Sequence, residues 1–206
     1  MPGSDFFDRL RGLPVFAADG AGIRLMKIGI TADFVIGDLD SFYRSSLAKQ
    51  FPGERVIHEP DQESNDFEKI LRFALDKGYK SLIILGFHGG IIEHTLNNWS
   101  VLMRYARKMK LVIFDKGRCG LPMFDSFGFE CRKHEILSLI PQPKARVSTK
   151  NLHWELRDNW LGLGEREGAR NIAEKEYVEI EIHEGSLIFF YDSRMPYAPN
   201  FAKIKR

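Results

Sequence analysis

Phe67, Ile70, Leu71, Ala74 and Leu75 recur at i, i+3, i+4, i+7 and i+8, the spacing of one buried face on an amphipathic helix. Asn65 precedes them as an N-cap residue, Glu68 stands three positions on as a capping box requires, and Gly78 stops the helix. Ahead of this segment, Leu13–Ala18 and Ala32–Ile36 are short apolar runs ending at Asp19 and Gly37. A short helix capped by Ser4 carries Phe6, Phe7 and Leu10 to a stop near Gly12. Beyond it, Ser81–Leu85 reads as a fully buried strand. Gly89-Gly90 then opens a second long helix, with Ile92, Leu96, Trp99, Met103 and Ala106 on its apolar side, and Lys110–Phe114 follows as a strand. Buried strands alternating with amphipathic helices predict an α/β domain, an open and mainly parallel sheet with helices on both faces.

From about residue 117 the period drops from 3.6 to 2. Val178, Ile180 and Ile182 alternate with Glu179, Glu181 and His183, as in a strand with one wet face. Glu184-Gly185 predicts a hairpin turn into Ser186–Tyr191, and Leu152, Trp154 and Leu156 share one face of another strand. The expectation is an all-β C-terminal sandwich, with the domains divided as 1–116 and 117–206.

Composition narrows the function classes. The 206 residues suffice for one large domain or two small ones, and 44% of them are hydrophobic. A formal charge of +2 argues against a dedicated nucleic-acid binder, and the basic tail of Lys203, Lys205 and Arg206 reads as a solvated terminus. Cys119 and Cys131 are too few for a disulfide framework or a zinc site, and read as buried small hydrophobes. No run approaches the roughly 18 apolar residues of a membrane span, and the N-terminus lacks a basic flank followed by an apolar stretch. A cytoplasmic globular protein is expected.

In an open α/β sheet, ligands bind beyond the carboxyl ends of the strands. The polar residues placed there are Asp19-Gly20, Gly37-Asp38-Leu39-Asp40-Ser41 and the stretch from Gly86 to Asn98, with Asp61 and Asp66 at the entrance to the capped helix. Asp38 and Asp40, one residue apart beside a glycine, can point at one hard cation such as Mg²⁺, or can simply cap the next helix. A haloacid-dehalogenase phosphatase also uses Asp-x-Asp, but after its first strand, whereas here the motif follows the second. A phosphoryl or pyrophosphoryl transferase would use the acids only to hold metal. Asp66 meets the positive end of its helix, and Lys69, one turn on, could reach a phosphate or lie exposed. Gly89-Gly90 offers N–H groups to an anion, and His94 lies one turn into the following helix.

Taken in order, Ala18-Asp19-Gly20, Gly37-Asp38-Leu39-Asp40-Ser41, Asp61-Gln62, Asn65-Asp66 with Lys69, and Gly89-Gly90 with His94, Leu96 and Asn98 resemble the thiamine pyrophosphokinases. Leu152-His153-Trp154-Glu155-Leu156 and Gly168-Ala169-Arg170-Asn171 extend the resemblance into the second half. The resemblance implies ATP and thiamine as substrates, AMP and thiamine diphosphate as products, Mg²⁺ as cofactor, and a homodimer with active sites shared between subunits. Position by position, it implies that Asp38, Asp40 and Asp66 handle metal and catalysis. Asp19, Ser41, Asp61, Lys69, Gly89, Gly90, His94 and Asn98 would then serve ATP and its phosphates, and Trp154 and Asn171 would serve thiamine.

Four departures stand out. Where the family has Gly-Gly-Arg-x-Asp-His, this chain has Gly89-Gly90-Ile91-Ile92-Glu93-His94, so isoleucine replaces an arginine able to grip phosphate with two bonds. Asn65-Asp66 replaces Thr-Asp, Arg170 replaces the serine of a Ser-Asn pair, and the chain starts at what resembles the residue after the family's first strand and Asn-Gly turn. Two alternatives remain: a pterin pyrophosphokinase of a related α/β fold, against which Trp154 and the C-terminal strands argue, and a thiamine-binding protein that has lost catalysis.

Overall fold

The computed structural model describes residues 3–204, which fall into two compact units. One comprises the chain to Ser81 together with His88–Met109; the other comprises Leu82–Phe87 and the chain from Lys110.

The first unit holds five helices among its described residues: α1 (Ser4–Asp8), α2 (Ala21–Met26), α3 (Asp40–Tyr43), α4 (Asp66–Asp76) and α5 (Ile92–Tyr105). Three short strands, β1 (Phe16–Ala18), β2 (Phe34–Gly37) and β3 (Val56–His58), form a parallel sheet in the order β1-β2-β3. Ala18 pairs with Ile36 and Gly37 with His58, so the carboxyl ends of all three strands lie on one side. β1 stands at an edge, with β2 its only strand partner among the described residues. Ala17, Ile23, Leu25, Val35, Leu39 and Phe42 make the core beneath.

Helix α4 begins where its cap predicts, because the Asn65 side chain accepts the Glu68 N–H at 2.9 Å. The other half of the capping box does not form. The Glu68 carboxylate turns instead to Arg104 at 2.8 Å and to the Tyr105 hydroxyl at 3.1 Å, joining α4 to α5. On α5 the apolar side read from the sequence faces water in its first turns: Ile92 is 76% exposed and Leu96 67%. The buried positions are Val101, Leu102 and Tyr105, in the last turns of the helix.

The second unit is a curled, mixed sheet of nine strands among the described residues. Its strands are β4 (Ser81–Leu85), β5 (Lys110–Asp115), β6 (Arg118–Met123), β7 (Phe127–Glu130), β8 (Ile136–Lys150), β9 (Asn159–Gly162), β10 (Gly168–Ile172), β11 (Tyr177–Asp192) and β12 (Phe201–Lys203). The path β10-β8-β11-β6-β5-β4 carries the sheet, while β7, β9 and β12 branch from it.

These facts overturn the expected fold class. The chain does not form a helix-rich open parallel sheet followed by a separate sandwich. β4 and β5, read as members of a parallel α/β sheet, join the large sheet instead, and β4 alternates in exposure rather than being fully buried. A short apolar run specifies burial but not which neighbour completes its ladder.

Two local readings also change. Glu184-Gly185 makes no hairpin; β11 runs on through bulges, and both its halves pair with β8. Gly185 has φ +80°, and a Cβ there would meet the Lys144 carbonyl oxygen at 2.1 Å, so glycine lets the two backbones approach. Leu152 and Leu156 are buried, but Trp154 between them is not in a strand and is 57% exposed.

Candidate active site

Asp19 follows β1, Asp38 follows β2 and Asp66 opens α4, which packs against both strands. Parallel register therefore brings three carboxylates from distant parts of the chain to one place: one oxygen from each lies within 4.8 Å of the others. The backbone is shaped around them. Asp19 adopts φ +40° and Leu39 φ +67°, left-handed values unusual for residues with side chains. Buried Asp19 accepts the Phe42 N–H at 2.8 Å and the Ser41 N–H at 3.3 Å, fixing the loop that carries Asp38. Gly37, at φ +154°, keeps the centre open; a Cβ there would stand 2.9 Å from Asp66 Oδ1.

The electrostatics follow from this crowding. Burial pushes the Asp66 carboxyl above its ordinary value, Lys69 opposes the rise, and the charges of Asp38 and Asp19 add to it. Lys69 is not an exposed lysine: its side chain is 2% exposed, and Nζ lies 3.5 Å from Asp66 Oδ1. Lys69 thus pairs with Asp66 at the margin of the three-carboxylate group.

Such a set suits a hard cation. All the donors are carboxylate oxygens, and one from each acid lies within 4.8 Å of the others, near enough to turn toward a common ion. The residues present therefore fit Mg²⁺.

In the second unit, Trp154 projects into solvent from a fixed mount. The amide of buried Asn171 accepts the Trp154 N–H at 3.1 Å and donates to the Trp154 carbonyl at 2.8 Å. Its oxygen also accepts the Ile172 N–H at 2.9 Å. Asn171 thus serves the backbone of the loop that presents the indole. The indole stands perpendicular to the His153 ring, with centroids 4.6 Å apart.

Residues 14–114 match the family model described as thiamin pyrophosphokinase, catalytic domain. That stretch contains all three grouped acids. This stretch belongs to the thiamine pyrophosphokinase catalytic-domain family. Thiamine pyrophosphokinase 1 of Arabidopsis thaliana is 27% identical over 169 residues, a match covering 72% of this chain and 61% of the plant protein. Thiamin pyrophosphokinase 1 of Caenorhabditis elegans is 25% identical, with 84% of this chain and 76% of the nematode protein covered. The fold is shared with thiamin pyrophosphokinase from Geobacillus thermodenitrificans, at TM-score 0.78 and 19% identity, covering 95% of this chain and 93% of that one.

The remaining positions suggested by the thiamine pyrophosphokinase resemblance are scattered around the first unit. Asp40 and Ser41 are exposed on α3, and Asp40 is not among the grouped carboxylates. Asp61 is held below its ordinary value by the Ser64 hydroxyl, the Glu63 N–H and Arg72, and it ties the loop before α4 to that helix. Asn98 accepts a bond from Asn65 at 2.9 Å, linking α5 to the cap beside Asp66. Gly89, Gly90 and His94 are exposed, and Gly89 and Gly90 have positive φ. Ile91 is 53% exposed at the start of α5, so the side chain replacing the family's arginine is not a core residue. Sequence reasoning gave no role to Arg72, Arg104 or Glu174, and it placed His153 only within the Leu152–Leu156 motif; the adjacency of histidine and tryptophan was the one local signal for that pair.

Proposed function

We propose that the protein is a Mg²⁺-dependent thiamine pyrophosphokinase that transfers pyrophosphate from ATP to thiamine, giving thiamine diphosphate and AMP. The observation that carries this reading is the convergence of Asp19, Asp38 and Asp66 inside the matched catalytic region.

These three acids would hold the Mg²⁺, which when bound neutralises charge on the transferring phosphates. Asp19 shapes the loop through its bonds to α3, and Lys69 restrains Asp66. Asp40, Ser41 and the Gly89-Gly90 loop with His94 border the phosphates, and Asp61 and Asn98 support the entrance through their hydrogen bonds. Trp154 stacks on thiamine, with Asn171 holding its backbone. The thiamine hydroxyl attacks the β-phosphorus of ATP in line, AMP leaves, and a carboxylate of the group takes the hydroxyl proton. The chain works as a homodimer in the cytoplasm, a reducing compartment in which its two cysteines stay free thiols.

A coupled assay of AMP release tests the reading. AMP forms only when thiamine, ATP and Mg²⁺ are all present, and a pterin does not replace thiamine. Thiamine binding without AMP release would favour the catalytically silent alternative, for which exposed, uncharged Ile91 is the motivating observation.

A further inference from the structure

Asn171 clamps the N–H and carbonyl of Trp154, but a backbone clamp leaves the two side-chain torsions of an exposed tryptophan free. Something else must hold the ring if it is to serve as a platform rather than a swinging arm. His153 is the aromatic ring in contact with it, at 4.6 Å between centroids and 88° between planes, within the range of favourable perpendicular pairs.

The histidine is itself restrained at both ends. Its N–H donates to the Ile172 carbonyl at 2.9 Å, and its Nδ1 lies 2.6 Å from Glu174 Oε1. Glu174 is fixed in turn by its own N–H, which donates to the Asn151 carbonyl at 2.9 Å. The Leu152–Ala173 bridge binds the two segments between these contacts. A carboxylate, an imidazole and an indole therefore form a chain of contacts in which each group orients the next. None of the three is buried, so packing alone does not hold them in place.

We propose that His153, held by Glu174, is a positioning residue that sets the Trp154 ring for stacking of a planar cationic heteroaromatic, thiamine on the reading above. The inference rests on the assignment of Trp154 as the thiamine platform. A residue acting in this way changes affinity for the aromatic substrate without changing the chemical step.

The test uses His153→Ala, His153→Phe and Glu174→Ala in the full-length protein, with Trp154→Ala as reference. His153→Ala raises the thiamine KM by about 2- to 12-fold, the range equivalent to losing one aromatic pair. The kcat and the ATP KM stay within about twofold. His153→Phe restores most of the thiamine KM because it returns a ring to the same place, and Glu174→Ala gives a smaller rise than His153→Ala. A second readout is independent of turnover. With Trp99 and Trp160 changed to phenylalanine, Trp154 is the sole tryptophan, and His153→Ala speeds its fluorescence depolarisation. If Trp154→Ala raises the thiamine KM but His153→Ala leaves both KM and depolarisation unchanged, the positioning role is overturned and the platform stands. If Trp154→Ala leaves the thiamine KM unchanged, the platform assignment and this inference fall together, while AMP release still decides the proposed function.

Discussion

Asp66, half-buried in the first unit, and Glu135, buried in the second, are both carboxylates with restricted access to water, and the fold treats them oppositely. Burial pushes the Glu135 carboxyl up, but the Arg194 guanidinium and the N–H groups of Arg132 and Asp192 outweigh it and leave the carboxyl below its ordinary value. Arg194 reaches both oxygens, at 2.8 and 2.6 Å. Among the described residues Asp66 has one ion-pair partner, Lys69 at 3.5 Å; burial, with the charges of Asp38 and Asp19 beside it, raises its carboxyl. An acid that only supports structure is supplied with every partner it can use. An acid kept short of partners, at the end of two parallel strands, retains charge for something that is not protein.

Removing a partner tests the first half of that contrast and has the largest expected effect. Arg194→Met leaves a buried carboxylate without its cation and lowers stability by about 3–5 kcal/mol, measured by chemical denaturation. The pH dependence follows from the lowered carboxyl. Glu135 contributes stability above the ordinary glutamate value of 4.5, and that contribution is lost as pH falls through its lower folded value. In Arg194→Met this acid-sensitive part of the stability profile flattens; an unchanged profile would mean that the pair does not act as described.

For the second half, Asp66→Asn or Asp38→Asn lowers turnover about a hundredfold, near 3 kcal/mol in transition-state stabilisation, at saturating Mg²⁺. Stability moves the other way. In the presence of chelator, Asp38→Asn melts at or above the parent temperature, because a charge that repels Asp66 has gone while the Asp66–Lys69 pair remains. Near-normal turnover in both variants would remove the metal assignment, and an equal loss in Asp40→Asn would widen the group beyond the three acids that converge.

Trp154 carries the comparison from charge to apolar surface. Because its side chain is exposed, Trp154→Ala spares most of the melting temperature while raising the thiamine KM by about 2- to 12-fold. A core tryptophan would instead cost about 3–5 kcal/mol of stability. In verified Trp154→Ala/Asp38→Asn heterodimers the thiamine KM returns to the parent value if the two roles come from different subunits, and stays raised if one subunit supplies both. The smallest effect belongs to Ile91→Arg. Stability shifts by no more than about 0.5 kcal/mol, as for exposed positions generally. The ATP KM falls a few-fold, the scale of one exposed ion pair of up to about 1 kcal/mol, since Lys69 is buried against Asp66 rather than free for phosphate.

Helices α4 and α5 show where the sequence was legible. The face of α4 was readable because its periodic residues, its cap and its stop agree, and Leu71 and Ala74 are buried as that pattern requires. The same period on α5 misled, since an apolar stripe states that a face can be covered, not that this chain covers it. Asp38 was visible beside Gly37 in a short motif. The grouping of Asp19 with Asp38 and Asp66 depends on the parallel register of β1 and β2, which no local pattern encodes. The sequence leaves Lys69 open between a phosphate contact and an exposed side chain, because the burial of one helix position depends on tertiary packing. In the second unit, period-2 alternation correctly placed Val178, Ile180 and Ile182 inside, yet it could not distinguish a hairpin at Gly185 from a bulge that continues the strand.

Strand β11 pairs with β6, β7 and β8, all of which precede it in the chain. During synthesis, Phe127, Phe129, Leu137 and Leu139 leave the ribosome well before the strand that covers them. The roughly 40 residues between Lys150 and Asp192 take about 2–8 s to translate at 5–20 residues per second. For that interval the nascent sheet presents unpaired edges and apolar side chains, the condition in which chaperones engage and aggregation begins. The first unit has no such delay, because its sheet closes within residues 16–58. Arrival of β11, followed by β12 on β7, therefore sets the pace at which the second unit matures, and codon choice upstream of Asp192 becomes a lever on the yield of folded protein.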